Sequence, residues 1–452
     1  MKNDMTNDMT KGNPVKLILL FSIPLLIGNV FQQFYSMVDT IIVGRFVGVD
    51  ALAAVGSTGS MVFLVNGFAT GLTSGFAVLV SQKFGAKDEK GLRKATASAI
   101  TLTVISVIVA TIVSLLGAKP LLKLMNTPEN IMGDAYIYVK IIYGGIIATV
   151  AYNFIASILR ALGDSKTPLY FLIVSSVLNV ILDLVFIINF KMGVAGAAYA
   201  TIISQGVSAI LCLIYTYKRF TILRLKKEDF NVKRRYYHKH LKIGIPMALQ
   251  FSITSIGIMT VQGALNVFGS TVIASYTAAS KALQLVMQPA ITFGVTMATY
   301  CGQNLGAKEY GRIKEGVKEC TKISIITSII AGAVLMFLGK YFVMMFISNP
   351  DAEVLKYAQQ VLDISAIFFI PLGLIFIYRN ALQGIGDSFV PMMAGAYELI
   401  ARALVAFTLP KYLRFMGICL ADPVAWFAAS IPLGITYFRR IRSLLKHGNI
   451  KA

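Results

Sequence analysis

The 452-residue chain contains little charge, little cysteine and little histidine. Only 14% of its residues are charged, against about 25% in soluble globular proteins, which argues against a soluble domain. The four cysteines lack metal-site spacing, and the three histidines fall in polar segments outside the apolar runs. HExxH, GxSxG and Walker motifs are absent. We therefore expect that the chain is not an enzyme and that it binds no metal and no cofactor. The energy for its function would come from an ion gradient or from a partner.

Long apolar runs make up most of the sequence. The chain is 56% hydrophobic, with a mean hydropathy of +0.71. A bilayer core is crossed by about 20 apolar residues in helical form, because backbone polar groups cannot stay unpaired in lipid. The runs do not alternate as the strands of a membrane barrel would. The sequence predicts an all-α integral membrane protein, and we expect the first run, too long for a signal-peptide core, to stay as the first helix.

We predict twelve transmembrane helices, an even number that places both termini on one side. Most lysines and arginines fall in one set of loops and in the termini, so the positive-inside rule puts both termini in the cytoplasm of a multi-pass plasma-membrane protein. The predicted spans are 15–44, 51–81, 95–118, 135–159, 168–190, 194–217, 241–268, 272–303, 320–345, 357–383, 389–413 and 417–438.

The net charge of +21 is concentrated between the apolar runs, most densely at residues 218–242. Clusters of Lys and Arg beside a membrane helix typically contact anionic lipid head groups. We expect this segment to be a basic cytoplasmic linker that contacts anionic lipids at the cytoplasmic face, and we expect no nucleic-acid partner.

Three short motifs recur in the same order at an offset of 221 to 223 residues. This predicts a duplication: an N-terminal six-helix bundle (1–217), the linker (218–240) and a C-terminal six-helix bundle with a basic tail (241–452). Repeats with an even number of spans insert the same way up, so we expect a pseudo-two-fold axis along the membrane normal. The recurring segments are 22–24 with 244–246, 81–87 with 302–308, and 163–168 with 386–391.

Taken together, the order and spacing of these and other short motifs resemble the multidrug and toxic compound extrusion (MATE) family over essentially the whole chain. The resemblance implies a V-shaped pair of six-helix bundles and cation-coupled antiport of amphipathic, often cationic, compounds. The wider group includes flippases for lipid-linked sugars, so the fold alone does not fix the substrate. The motifs are Ile23-Pro24, Val38-Asp39-Thr40, Gln82 with Phe84-Gly85-Ala86, residues 160–164, Asn179 with Asp183, residues 193–201, residues 303–307, and Arg379 with residues 383–387.

Two aspartates, Asp39 and Asp183, lie in apolar spans of the N-terminal half. A carboxylate at bilayer depth needs a water-filled cavity, a partner or a proton, although a purely structural hydrogen-bonded role stays open for each. Asn179 precedes Asp183 by one helical turn. By resemblance to the DinF-like branch of the family, Asp39, Asn179, Asp183 and Thr201 would form the proton- or sodium-linked network.

The C-terminal half differs at the matching positions. In the alignment of the two repeats, Gln262 matches Asp39 and Arg402 matches Asn179. The C-terminal half thus lacks the acid at the position of Asp39, which favours ion coupling in the N-terminal half. Glu398 and Arg402 are one turn apart, and we predict an i,i+4 ion pair between them, with gating or selection of substrate charge as the alternative. Lys281 either reaches the membrane interface or, like Gln33 and Gln262, belongs to a substrate cleft.

Four prolines are predicted to interrupt helices, because proline removes a backbone hydrogen bond: Pro24, Pro246, Pro289 and Pro371. Most such prolines are static kinks, but the resemblance implies that the first helix bends at Pro24 during transport.

We therefore predict a monomeric antiporter in the lipid bilayer. It would export small amphipathic, cationic compounds in exchange for protons or sodium. The alternatives are a flippase for a lipid-linked glycan or other amphipathic lipid, which Lys281 and Arg402 keep open, and an intramembrane enzyme, for which the sequence offers no nucleophile with its base.

Overall fold

The computed structural model describes residues 8–347 and 351–449, and every regular element within them is helical. The first half contains α1 (Pro14–Phe46), α2 (Val49–Gly85), α3 (Glu89–Leu124), α4 (Glu129–Gly144), α5 (Ile146–Ala161), α6 (Lys166–Leu184, extended by the π-helical turn Val185–Asn189) and α7 (Gly193–Arg219). The second half contains α8 (Arg234–Leu265), α9 (Ser270–Val286), α10 (Gln288–Gly306), α11 (Tyr310–Met344), α12 (Ala352–Ile367), α13 (Phe369–Gly384), α14 (Phe389–Thr408), α15 (Pro410–Leu413), α16 (Phe415–Cys419) and α17 (Ala421–Asn449).

Among the described residues, nine helical segments are long and apolar enough to cross a membrane, and two bent pairs pass the same test together. The pairs are α4 with α5 and α12 with α13, bent by 46° and 55°. The remaining predicted span, 272–303, corresponds to α9 followed by α10. Large aliphatic side chains cover outward faces; on α3, for example, Val113 is 64% exposed. Such a surface suits lipid, and the prediction of an all-α integral membrane fold is confirmed.

The duplication is visible in the backbone as well as in the sequence. The first bend falls at Gly145 and the second at Phe368, an offset of 223 residues. Positive φ angles at non-glycine residues also recur at the repeat spacing: Lys87 matches Lys308, and Lys191 matches Arg414. A non-glycine residue with positive φ is strained, so matching positions indicate that the two halves share one backbone design.

Contacts divide the described chain into two compact units. Unit one is built from Ile23–Ser252, and unit two from Met9–Ser22 together with residues from Ile253 onward. The predicted domain boundaries differ from these units because α1 and α8 each contribute to both. The first part of α8 is held in unit one, where Gly71 and Gly75 of α2 bring the backbones together; a Cβ on Gly75 would lie 2.5 Å from the Cα of Gly244.

The first part of α1 is held in unit two by the chain before it and by its own serine. The backbone N–H of Met9 donates to Gln303 Oε1 (2.9 Å), and Asn304 Nδ2 donates to the Met9 carbonyl (3.2 Å). Further along, the hydroxyls of Ser22 and Thr296 are 2.7 Å apart. Helix α1 therefore passes from unit two to unit one between Ser22 and Ile23, just before Pro24.

The predicted basic linker is partly helical and packs against α3. It contains two short 3₁₀ turns, Thr221–Leu223 and Lys227–Phe230, and α8 already begins at Arg234. Phe220 and His240 are both fully buried. The His240 Nε2 atom lies 3.0 Å from both the Ala95 carbonyl oxygen and the Ser98 hydroxyl. Residues 218–240 are thus a structured part of unit one.

The four prolines fall into two classes. Helices α1 and α8 continue through Pro24 and Pro246, so these two prolines lie inside helices, and bending at Pro24 stays a prediction. Pro289 and Pro371 instead lie just inside new helices, after the breaks before α10 and α13. Backbone N–H groups in the first turn of a helix have no partner within the helix. Proline, which lacks this N–H, therefore loses no hydrogen bond at such a position.

Candidate functional site

Asp39 of α1 and Asp183 of α6 meet inside unit one, with their side chains in hydrogen-bonding contact. Asp183 is fully buried and Asp39 half-buried. The Oδ1 atom of each carboxyl is buried and accepts no hydrogen bond from a described donor. Two ionised carboxylates in contact repel one another, so the pair requires a proton or another cation between them.

Asn179 connects this pair to α1 and α7. With its amide oriented so that both atoms meet complementary partners, Nδ2 donates to Asp183 Oδ2 (2.9 Å) and to the Tyr35 hydroxyl (3.2 Å), and Oδ1 accepts from the Thr201 backbone N–H (3.1 Å). The Tyr35 hydroxyl in turn hydrogen-bonds to Thr201 Oγ1, which itself donates to the Ala197 carbonyl (3.0 Å). The structure therefore brings the four predicted network residues together in one cluster.

The cluster has a polar but uncharged surround. Tyr138 of α4 lies close enough to interact with both carboxyls. Among the described residues, neither Asp39 nor Asp183 forms a salt bridge with a lysine or an arginine. The site thus offers oxygen ligands and negative charge without an internal counter-ion.

Unit two contains a different arrangement, in which two acids, Glu398 and Asp422, each pair with an arginine. Arg379 Nη2 of α13 lies 2.6 Å from Glu398 Oε1 of α14, and both side chains are less than a tenth exposed. The predicted i,i+4 pairing of Glu398 with Arg402 is therefore wrong. The Glu398 carboxylate contacts Arg379 on the neighbouring helix α13 instead.

Arg402 pairs instead with Asp422 in the first turn of α17. Arg402 Nε donates to Asp422 Oδ1 at 2.7 Å, and the Tyr276 hydroxyl of α9 donates to Oδ2 at 3.3 Å. The Arg402 side chain is 8% exposed and that of Asp422 is 30% exposed. Arg402 Nη1 is buried and has no hydrogen-bond partner.

Gly257 of α8 makes room for this guanidinium. A Cβ on Gly257 would lie 2.4 Å from Arg402 Nη1, which is closer than such contacts allow. Gly257 and Arg402 both belong to unit two, and a side chain at residue 257 would force the end of the arginine side chain to move.

The remaining predicted cleft residues are not among the contacts of either cluster. Gln33 is half-buried on α1, whereas Gln262 on α8 and Lys281 on α9 are exposed.

Sequence reasoning missed Tyr35, Tyr138, Tyr276 and Asp422. Tyr35 precedes Asp39 by one turn, as Asn179 precedes Asp183, so helical spacing could have found it. The other three lie on helices whose contacts with the clusters follow only from tertiary packing.

The family model described as MatE matches residues 24–185 and, a second time, residues 246–408. The two matches cover more than half of the chain. The chain belongs to the MatE family.

Two relatives of this MATE chain come from Bacillus subtilis (strain 168). One, a probable multidrug resistance protein YpnP, is 33% identical over 384 residues, covering 84% of each chain. The other, a probable multidrug resistance protein YoeA, is 30% identical over 451 residues, covering 96% of each. Among solved structures, an outward-facing multidrug-resistance MATE transporter matches with a TM-score of 0.92 at 23% identity, over 98% of this chain and 99% of that one.

These findings establish a MATE-family transporter with multiple membrane-spanning helices, and not an enzyme. The predicted resemblance to the family is confirmed, and the two relatives are described as multidrug resistance proteins. Neither is described as a flippase.

Proposed function

We propose that this MATE transporter is a secondary antiporter of the plasma membrane that exports amphipathic, cationic compounds in exchange for protons or sodium. The observation that carries the proposal is the contact between Asp39 and Asp183 in a cluster without a basic partner. A pair of acids in such a site binds one positive charge readily, and that charge is the coupling ion.

The oxygen-rich surround supports this role. Asn179 donates to Asp183 and to Tyr35, which orients the pair, while Thr201 and Tyr138 add hydroxyl groups. A proton removes one negative charge from the pair, and a sodium ion neutralises one by coordination to carboxylate and hydroxyl oxygens. Either ion would change the force that the pair exerts on α1, since Asp39 and Tyr35 both belong to that helix.

Pro24 is the point where such a change would act. It lies two residues after Ser22, the last residue of α1 in unit two, whereas Tyr35 and Asp39 belong to unit one. The missing N–H at Pro24 leaves α1 one backbone hydrogen bond short there, which makes this turn the easiest place for the helix to bend. We assign Pro24 the role of hinge.

The proposed topology places both termini and the basic segment 218–240 in the cytoplasm, next to anionic lipids, and the transporter works as a monomer without a cofactor.

The flippase alternative needs free basic groups for an anionic head group. Arg402 is already paired with Asp422, so this chain offers less support for a flippase than its sequence suggested.

Transport of a fluorescent cationic dye into proteoliposomes tests the proposal. A proton gradient and a sodium gradient are imposed separately, with protein-free liposomes as the control. Dye movement that responds to one gradient supports antiport and identifies the ion. If dye moves at the protein-free rate under both gradients, the proposed function is rejected.

A further inference from the structure

We propose that Arg402 is an internal counter-ion that neutralises Asp422 in unit two and keeps a cation from solution from binding there. It thereby confines ion coupling to the Asp39–Asp183 pair. The inference deepens the proposed function, and its starting point is a comparison of the two repeats at one position. Arg402 and Asn179 are 223 residues apart, the spacing of the repeat, and lie on the matching helices α14 and α6.

At this repeat position the two units place different groups beside an acid, an amide in unit one and a guanidinium in unit two. In unit one an amide orients an acid and leaves its charge unmatched. In unit two a guanidinium stands 2.7 Å from the carboxylate of Asp422 and also interacts with Glu398. Removing Arg402 would take away the positive charge beside the Asp422 carboxylate, and a cation from solution would then replace it.

The carboxylate that Arg402 neutralises is also the one that solution can reach. The side chain of Asp422 is 30% exposed, whereas Glu398 is 7% exposed and held by Arg379 at 2.6 Å. The Tyr276 hydroxyl adds a further oxygen 3.3 Å from Asp422 Oδ2. Without the guanidinium, Asp422 and Tyr276 would present a small cation with an accessible carboxylate and a hydroxyl.

Gly257 is the second residue that determines where the Arg402 guanidinium lies. Its missing side chain leaves the space that Arg402 Nη1 fills, and a Cβ there would come within 2.4 Å of that atom. The Arg402 guanidinium therefore lies beside Gly257 and pairs with Asp422. A methyl group at residue 257 is expected to push the guanidinium away and weaken its hold on the carboxylate.

The test measures cation binding by thermal unfolding of purified protein in detergent at alkaline pH, with sodium chloride compared against choline chloride. The parent is Asp39→Asn/Asp183→Asn, in which the unit-one site is removed, so the result does not depend on the proposed antiport. We expect the parent to unfold at the same temperature in both salts. Arg402→Asn in this parent, which copies the unit-one residue, should acquire a sodium-dependent rise in melting temperature.

Two further variants keep the test decisive. Adding Asp422→Asn to Arg402→Asn should abolish the sodium response, because the acid is gone. Should Arg402→Asn fail to fold, Gly257→Ala tests the same point with the arginine present and should give a smaller sodium response. Gly263→Ala is its control, since a Cβ there meets no atom within 4 Å. A folded Arg402→Asn or Gly257→Ala protein that unfolds identically in both salts would overturn the proposal, as would a response that survives Asp422→Asn.

Discussion

Asp39 and Asp183, on helices α1 and α6, hold their carboxyl groups in hydrogen-bonding contact inside one unit of the protein. Neither has a basic partner among the described residues, whereas Glu398 and Asp422 of the other unit each have an arginine within 2.7 Å. The two halves of a duplicated chain thus share a backbone design but differ in electrostatics. This difference is the basis for the predictions below.

Tyr35→Phe should weaken ion coupling without abolishing transport. The change removes the hydroxyl that joins Asn179 to Thr201, and one such hydrogen bond contributes about 1 kcal/mol, or about a fivefold change in an equilibrium constant. The concentration of coupling ion that gives half-maximal dye transport is expected to rise accordingly. Tyr170→Phe on the same assay serves as the control, because Tyr170 is 58% exposed on α6; equal behaviour of the two variants would contradict the role of Tyr35.

Glu398→Ala should destabilise the protein by leaving Arg379 buried without its acid. Breaking one partner of a buried pair costs about 3–5 kcal/mol. In thermal unfolding, the double variant with Arg379→Ala should be less destabilised than the sum of the single variants. The cycle of Glu398 with Arg402 should show a smaller coupling, since their direct partners differ. Equal coupling energies in the Glu398–Arg379 and Glu398–Arg402 cycles would indicate that Glu398 is shared between the two arginines, which would contradict this pairing.

The pairing of Glu398 shows where sequence reasoning reaches its limit. The spans, the duplication and the cluster of Asp39, Asn179, Asp183 and Thr201 follow from apolar runs, from motif spacing and from family resemblance. A helical spacing of four residues makes an ion pair possible but does not exclude a partner on a neighbouring helix. Glu398 pairs with Arg379 because α13 packs beside α14. A contact between two helices cannot be read from the residue spacing within one of them.

Asp88 should stabilise unit one above acidic pH. Its Oδ1 accepts from the Gly91 backbone N–H (2.8 Å) and caps α3, while Oδ2 lies 2.6 Å from Lys83 Nζ. The hydrogen bond from Lys83 lowers the pKa of Asp88. A lowered pKa in the folded state means that the stabilisation is present above the unfolded value of about 3.9 and is lost as the pH falls through the folded value.

Asp88→Ala is accordingly expected to cost about 1 kcal/mol of unfolding free energy at neutral pH, the usual size of a lost helix cap. The difference from wild type should shrink below about pH 4. Asp88→Asn keeps a capping oxygen and should lose less. Unfolding of both variants in detergent across this pH range is the measurement, and a difference that stays constant with pH would argue against the charged cap.

Membrane topology can be mapped with single cysteines in a cysteine-free background, since all four native cysteines are buried. Lys226, Lys446 and Asp351 are all exposed. Cysteines at 226 and 446 should react with a membrane-impermeant maleimide only from the cytoplasm, and one at 351 only from outside. Reaction of positions 226 and 351 from the same side would contradict the twelve-helix arrangement.

The central claim, that Asp39 and Asp183 couple ion movement to export, is tested most directly by Asp39→Asn in proteoliposomes. The amide resembles a permanently protonated carboxyl and cannot release a proton, so gradient-driven dye transport should be abolished while folding and membrane insertion are retained. Asp183→Asn should behave alike, and Asp134→Asn, an exposed aspartate on α4, should transport at the wild-type rate. Wild-type transport by both Asp39→Asn and Asp183→Asn would contradict the claim and place the coupling site elsewhere.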